Sequence, residues 1–467
     1  MAGKQQTHYE IDMCNGPILS KMLRFSIPLM CSSVLQLLFN AADIVVVGRW
    51  AGDNSLAAVG SNTALIGLLT NLFVGLAVGA NTLAAKYYGA RDRDALHRVV
   101  HTSILLSIIS GLVLTVVGVF GARTILIWMQ TPENVLDLAT LYLRIYFLGM
   151  TATMVYNFGA ALLRAEGDTQ RPLYFLSLAG VVNIVLNLFF VIVCKLDVAG
   201  VAIATVISQC LSAAFVVFFL TKKSELKLRF LHKNEIPECT GHAKNILSLG
   251  AAGFIMQLTN SLVTICCNNI LSVTGGDIYI SVMTIISSVR QLVETPIHAM
   301  VEGTSPILSY NYGARRPGRV RKSILIMSLL VFGYTAVMWS MIILIPETLI
   351  RIFSSDAALI QDAVPALNMY FAAFIFMDLQ YIGQAVFKSL NKKVFAIFFS
   401  LLRKVFIVVP LTYFLPYAMH MGTDGVFLAE PVSNVIGGTA CILTMLITIM
   451  PELKRIEVEN RRDGIKA

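Results

Sequence analysis

The sequence predicts an all-helical membrane protein of twelve spans, arranged as two six-span lobes, and three observations predict it. First, the 467-residue chain is apolar throughout, with a mean hydropathy of +0.73 and only 13% charged residues. Apolar runs of about 20 residues recur along it, each long enough to cross a hydrocarbon core of about 30 Å, and only helices satisfy their own backbone there. Second, basic residues alternate between the connections. Third, the chain repeats itself at a constant offset. No polar stretch is long enough to build a soluble domain.

The spans follow in order. The first, 24–47, opens after Lys21 and closes at Arg49, and it leads straight into further spans, so it does not read as a cleaved signal peptide. The second, 57–85, stops at Lys86; the third, 99–120, starts after Arg98; the fourth, 136–162, stops before Arg164. The fifth, 172–193, lies between Arg171 and Lys195, and the sixth, 198–220, ends at Lys222. A basic segment, 222–244, then links the halves. The seventh and eighth spans are 246–272 and 279–309, and the ninth, 322–345, follows the basic run Arg315 to Lys322. The tenth, 362–387, ends at Lys388; the eleventh, 394–416, follows Lys392 and Lys393; the twelfth is 425–449. Domain boundaries are therefore expected at 1–221 (first lobe), 222–244 (linker), 245–450 (second lobe) and 451–467 (tail). Basic residues crowd every second connection, beginning with the one that holds Lys4 and Lys21. By the positive-inside rule both termini are expected in the cytoplasm, which an even number of spans also requires. The net charge of +9 is accounted for by these loops and does not point to nucleic acid.

The repeat is specific. Tyr88-Gly89-Ala90-Arg91 returns as Tyr312-Gly313-Ala314-Arg315, Tyr146-Phe147 as Tyr370-Phe371, and Gly159 as Gly383, all at one and the same offset. Gly200-Val201 returns as Gly425-Val426 with a single insertion. Six spans return the chain to its starting side, so the halves share one orientation. A pseudo-twofold axis along the membrane normal is expected, with a substrate site between the halves.

Ionisable groups inside spans cost roughly 2.5–3.5 kcal/mol each on insertion scales, so they mark either function or internal pairing. Asp43 lies in the first span. Asn183 and Asn187, four apart, share one face of the fifth. Tyr142 and Asn157 in the fourth span and Thr205 in the sixth would complete a polar pocket, the alternative being plain helix–helix hydrogen bonding. In the eighth span Arg290, Glu294, His298 and Glu302 follow at four-residue steps, forming one stripe that either lines a cavity or pairs internally. Asp378 lies about 15 Å of helix from Lys388, near mid-membrane. It is read either as a partner of Arg403 or as a carboxylate exchanging a proton against a cation. Glu430 reads as a gate or boundary residue. The eight cysteines form no CxxC, and no metal cage, ATP-binding loop or serine-hydrolase elbow is present, so an enzyme is not expected.

Phe25-Ser26-Ile27-Pro28, Gln36-Leu37-Leu38-Phe39-Asn40 with Asp43, and Gly48-Arg49-Trp50-Ala51-Gly52 resemble the first span of the multidrug and toxic compound extrusion (MATE) family. Leu163-Arg164-Ala165-Glu166-Gly167-Asp168-Thr169-Gln170-Arg171-Pro172 and Ser309-Tyr310-Asn311-Tyr312-Gly313-Ala314-Arg315 resemble two of its loops. The resemblance implies export of organic, cationic, drug-like solutes by a secondary antiporter of the bacterial inner membrane, coupled to H⁺ or Na⁺, with no other cofactor. It implies coupling residues at Asp43, Asn183, Asn187, Thr205 and Asp378, with Na⁺ at Asp43, Asn183 and Asn187. Gln36, Tyr142, Asn157, Gln257, Glu294, His298, Glu302 and Arg403 are the expected cavity residues. Small organic solutes and the lipid bilayer are the expected partners, and the chain is expected to act as a monomer. The alternative function is a lipid-linked saccharide flippase of the same wider fold group.

Overall fold

A computed structural model describes residues 15–129, 131, 133–222, 236–353 and 356–462. Lys4, the centre of the linker and the end of the tail lie outside the described residues. Every regular element among those described is helical. The first half contains α1 (Ile18–Trp50), α2 (Asp53–Ala90), α3 (Arg93–Trp128), α4 (Glu133–Leu148), α5 (Met150–Glu166), α6 (Gln170–Leu188) and α7 (Asp197–Lys222). The second contains α8 (Ile236–Thr274), α9 (Gly276–Gly313), α10 (Pro317–Leu344), a short α11 (Pro346–Arg351), α12 (Ala357–Phe371), α13 (Ile375–Ser389), α14 (Lys393–Leu401), α15 (Val409–Ala418) and α16 (Gly422–Arg462). A π-helical turn, Phe189–Val193, follows α6, and another, Leu402–Val408, joins α14 to α15.

Among the described residues, eight helices are long and apolar enough to span by themselves. Two further spans are broken: α4 and α5 meet at 45°, and α12 and α13 at 47°. With the 38-residue helices α2 and α9, the total is the expected twelve. Each of those two is about 57 Å long, well beyond the hydrocarbon thickness.

The repeat is written in the backbone as well as in the letters. Positive φ angles occur at Gly52 and Gly276, Arg91 and Arg315, Gly167 and Asn391, Lys195 and His420, and Asp197 and Gly422. The first three pairs keep the offset of the repeat, and the last two lengthen it by the same single insertion that separates Gly200 from Gly425. Each marks a turn between helices, where a left-handed residue ends one helix and redirects the chain. At Tyr-Gly-Ala-Arg the turns coincide bond for bond. Arg91 N–H donates to Tyr88 O at 3.2 Å and Asp92 N–H to Tyr87 O at 3.1 Å; Arg315 N–H donates to Tyr312 O at 3.1 Å and Arg316 N–H to Asn311 O at 2.8 Å.

The described residues form two compact units, one within 28–250 and the other within 15–27 and 251–462. The core of the first is rich in small residues, including Ala77, Ala80, Ala84, Ala160 and Ala161. Between helices in lipid no hydrophobic driving force exists, so small residues that let backbones approach supply the packing. Leu105, Leu112, Val116 and Phe120 of α3 are exposed, as a lipid-facing stripe requires.

Candidate functional site

In the first unit, α1 crosses α6 at Gly180, whose missing side chain leaves the space that the Phe39 ring fills. One turn beyond Phe39, Asp43 is thereby set against Asn187, which donates from Nδ2 to Asp43 Oδ1. Asn187 Nδ2 also reaches Asn183 Oδ1 at 3.2 Å, and Asn183 Nδ2 donates to Thr205 Oγ1 at 3.2 Å. Thr205 in turn donates to the Val201 carbonyl at 3.0 Å, which fixes its hydroxyl as an acceptor for Asn183. Asp43 is 9% exposed, Asn183 4% and Asn187 0%. Asn187 Oδ1 is buried without a hydrogen-bond partner. Among the described residues no Lys, Arg or His forms an ion pair with Asp43. The cluster therefore presents a carboxylate and a spare amide oxygen to any small cation or proton, with no competing positive charge.

Asp43, Asn183, Asn187 and Thr205 thus come together. Tyr142 is buried, stacked on Tyr146 at 6.1 Å, and lies in the electrostatic field of Asp43. The Asn157 amide donates to Thr153 O, one turn back in α5, at 2.9 Å. Gln36 is exposed.

The second unit holds a denser cluster. Arg290 Nε is 2.5 Å from Glu294 Oε1, one turn along α9. Its Nη1 lies 2.9 Å from Glu430 Oε1 on α16 and donates to Tyr370 Oη on α12 at 2.5 Å. Lys404 Nζ donates to the same Glu430 oxygen at 2.8 Å, and Arg403 Nη1 stands 3.8 Å from it and donates to Asn434 Oδ1. Three elements, α9, α16 and the π-helical turn, are thereby tied through Glu430. Glu430, read as a gate or boundary residue, is the buried hub of an ionic network.

Asp378 does not pair with Arg403, which corrects that alternative. The Asp378 side chain, on α13, accepts from Thr335 Oγ1 at 3.1 Å, and its Oδ2 is buried with no hydrogen-bond partner. The stripe on α9 divides: Arg290 and Glu294 enter the network, whereas His298 and Glu302 are exposed, His298 making an edge contact with Tyr381 at 4.8 Å. Gln257 is half-buried and accepts at its backbone carbonyl from Ser261.

Asn434, Tyr370 and Thr335 were not among the expected site residues, and Glu430 was expected only as a gate or boundary residue. The repeat carries the signal for two of them. Tyr370 is the counterpart of Tyr146, and Glu430 that of Thr205 once the single insertion is counted. By the same alignment Cys267 stands where the first half has Asp43. In the fold Cys267 is buried beside Thr412 and in the field of Glu430, so the same three-helix junction is built twice with different chemistry.

Outside the spans, Asp168 between α5 and α6 accepts the N–H groups of Gln170 and Arg171 at 3.1 and 3.0 Å and pairs with the Arg171 guanidinium at 2.9 Å. Burial pushes its carboxyl above the usual range, with these bonds opposing the shift.

Among the described residues, spans in two units, each with acidic and amide side chains buried within them, define a polytopic membrane protein. The chain belongs to the MatE family, whose model matches it twice, at residues 28–189 and 252–414. The starts of the two matched stretches, Pro28 and Ala252, are separated by the offset of the repeat. The family consists of transporters, not enzymes. Among curated relatives, "Probable multidrug resistance protein YoeA" of Bacillus subtilis is 34% identical over 206 residues, 43% of this chain and 44% of the relative, so the match spans less than half of that protein's length. "Probable multidrug resistance protein NorM" of Thermotoga maritima is 26% identical over 352 residues, 74% of each chain. Among solved structures, a crystal structure of MATE in the bent conformation superposes with a TM-score of 0.87 at 23% identity, covering 96% of this chain and 98% of that one.

Proposed function

We propose that the protein is a secondary antiporter that exports small organic, drug-like solutes in exchange for H⁺ or Na⁺, from a bacterial inner membrane with both termini in the cytoplasm. The observation that carries the coupling is Asp43, buried in a span without a cation and held by an amide relay to Thr205. A carboxylate so placed holds either a proton or a cation, and gives up one to take the other, because its ionised form is costly without a positive partner. Asn187 Oδ1 and the Asp43 carboxylate are hard oxygen donors of the kind an alkali cation takes. Asp378, with one oxygen satisfied by Thr335 and the other free, is a second place for the same exchange.

A solute substrate is supported by the family and by the printed names of the relatives, which are multidrug resistance and export proteins. These favour it over a lipid-linked saccharide.

Dye efflux from proteoliposomes under separately imposed Na⁺ and pH gradients tests the proposal. One gradient drives efflux in the native protein, which identifies the ion. Asp43→Asn abolishes gradient-driven efflux while insertion and thermal stability are retained. Full gradient-driven efflux by that variant would remove Asp43 from the mechanism.

A further inference from the structure

The two units differ where the third span of each meets the fourth, at the end opposite the basic connections. In the first unit this place is bridged by an ion pair: Arg123 of α3 donates to Asp137 of α4 at 2.6 Å. The offset of the repeat carries these two positions to Glu347 and Gln361. A base and an acid have become an acid and a neutral amide, and the charge bridge between helices is gone. Glu347 instead pairs along α11 with Arg351, whose Nε and Nη2 both donate to its Oε1, at 3.1 and 2.7 Å. A pocket of about 410 Å³ stands open there, lined by Glu347 and Arg351 on α11 and by Gln361, Val364 and Pro365 on α12.

A second, independent observation lies on α12. Proline has no N–H, so Pro365 leaves the Gln361 carbonyl, one turn back, without its helical donor. The first unit has Leu141 at the matching position and keeps that donor. The pocket therefore combines two acceptors, Glu347 Oε2 and the Gln361 carbonyl, with a guanidinium. The Glu347 and Arg351 side chains are 57% and 62% exposed, and so exposed a pair adds little to stability.

A groove leads from this end of α10 down its length. Ala336, Val337, Ser340, Met341, Leu344 and Ile345 line an apolar furrow of about 490 Å³. Ala336 and Ser340 are small, and the Ser340 hydroxyl is spent on the Ala336 carbonyl at 2.7 Å, so the furrow offers no free polar group there. From residue 336 to residue 345 the helix rises about 14 Å, close to the hydrocarbon depth of one leaflet. Ile345 stands two residues before Glu347, so groove and pocket adjoin within about 7 Å of chain.

We propose that α10, α11 and α12 form a binding site for a zwitterionic phospholipid with a primary-amine head, of the phosphatidylethanolamine class. Its acyl chain lies in the furrow, its phosphate accepts from Arg351, and its ammonium donates to Glu347 and the Gln361 carbonyl. A guanidinium fork suits a phosphate, and opposite charges one helical turn apart match a head that carries the same two charges. A purely anionic head would meet Glu347 as a like charge. The site stands whether or not Asp43 couples transport to an ion.

The test titrates the full-length protein in detergent with phosphatidylethanolamine, with phosphatidylglycerol and with chain-free glycerophosphoethanolamine. Phosphatidylethanolamine raises the melting temperature saturably and is retained as a one-to-one adduct in native mass spectrometry, and the other two do neither at the same concentration. Glu347→Arg combined with Gln361→Asp rebuilds the bridge of the first unit, and Ala336→Trp fills the furrow. Each raises the half-saturating lipid concentration roughly tenfold or more, the loss of one charge-assisted bond or its equivalent. In the native protein, phosphatidylethanolamine with a photoreactive group in its acyl chain labels α10 between residues 336 and 345. An equal response to phosphatidylglycerol overturns the zwitterion site, and an equal response to the chain-free head overturns the lipid. The proposal fails also if both variants keep the native lipid response. Where a variant does not fold, the label decides: labelling confined to other helices overturns it.

Discussion

At the scale of single residues, the decisive quantity is how each buried charge is answered. Asp43 is answered by one amide, Asp378 by one hydroxyl, and Glu430 by a lysine and two arginines. The first two form no ion pair among the described residues, whereas Glu430 is committed to its cations. Breaking a buried ion pair from one side leaves an uncompensated charge and costs about 3–5 kcal/mol. Glu430→Gln should accordingly lower the melting temperature of the purified protein far more than Asp43→Asn does, since the Asp43 change removes a charge with no cation facing it. Lys404→Met added to Glu430→Gln should restore part of the loss, because it withdraws one of the stranded cations. Equal melting temperatures for Glu430→Gln and the native protein would mean that the network carries no net weight.

At the scale of elements, α16 is 41 residues long and continues to Arg462. Its last turns grip the Tyr-Gly-Ala-Arg turn after α9. Tyr312 Oη donates to Glu452 at 2.6 Å, Arg321 pairs with Glu457 at 2.9 Å, Arg315 pairs with Glu459, and Asn460 Nδ2 donates to the Arg315 carbonyl at 2.7 Å. These bonds are unequal. The Arg321–Glu457 pair is about one-third exposed, and such pairs are worth little. Asn460 is 1% exposed, and its bond fixes a carbonyl at the left-handed turn residue. Asn460→Ala should therefore destabilise the protein by about 1 kcal/mol, the net worth of a part-buried hydrogen bond, while Glu457→Gln leaves the melting temperature unchanged. Thermal melts of the two variants side by side check the order, and a reversal would place the grip in the exposed ion pairs.

At the scale of the whole molecule, the alternation of basic connections predicts which turns face the cytoplasm. Cys194 is exposed at the turn between α6 and α7, next to Lys195, on the side expected to face outward; Cys239 lies at the start of α8, beside the basic linker. A membrane-impermeant maleimide applied to intact cells should label a variant retaining only Cys194 and spare one retaining only Cys239. The opposite pattern would invert the topology. The number of spans, the two-fold repetition and the residues Asp43, Asn183, Asn187 and Thr205 were legible in the chain itself, because solvation by lipid acts on each apolar run separately and the repeat is a property of the letters. Helical spacing alone places Asn183 beside Asn187, and this local rule holds before any tertiary contact forms. Local rules could not tell which charges meet across helices. Arg403 was equally placed, by depth, to meet Asp378; only packing turned it to Asn434 and Glu430, and only packing turned Asn157 back onto its own helix. Electrostatic partnership depends on distances between segments far apart in sequence, and these are decided by which side chain is small enough to let two helices close, as at Gly180 and Gly437.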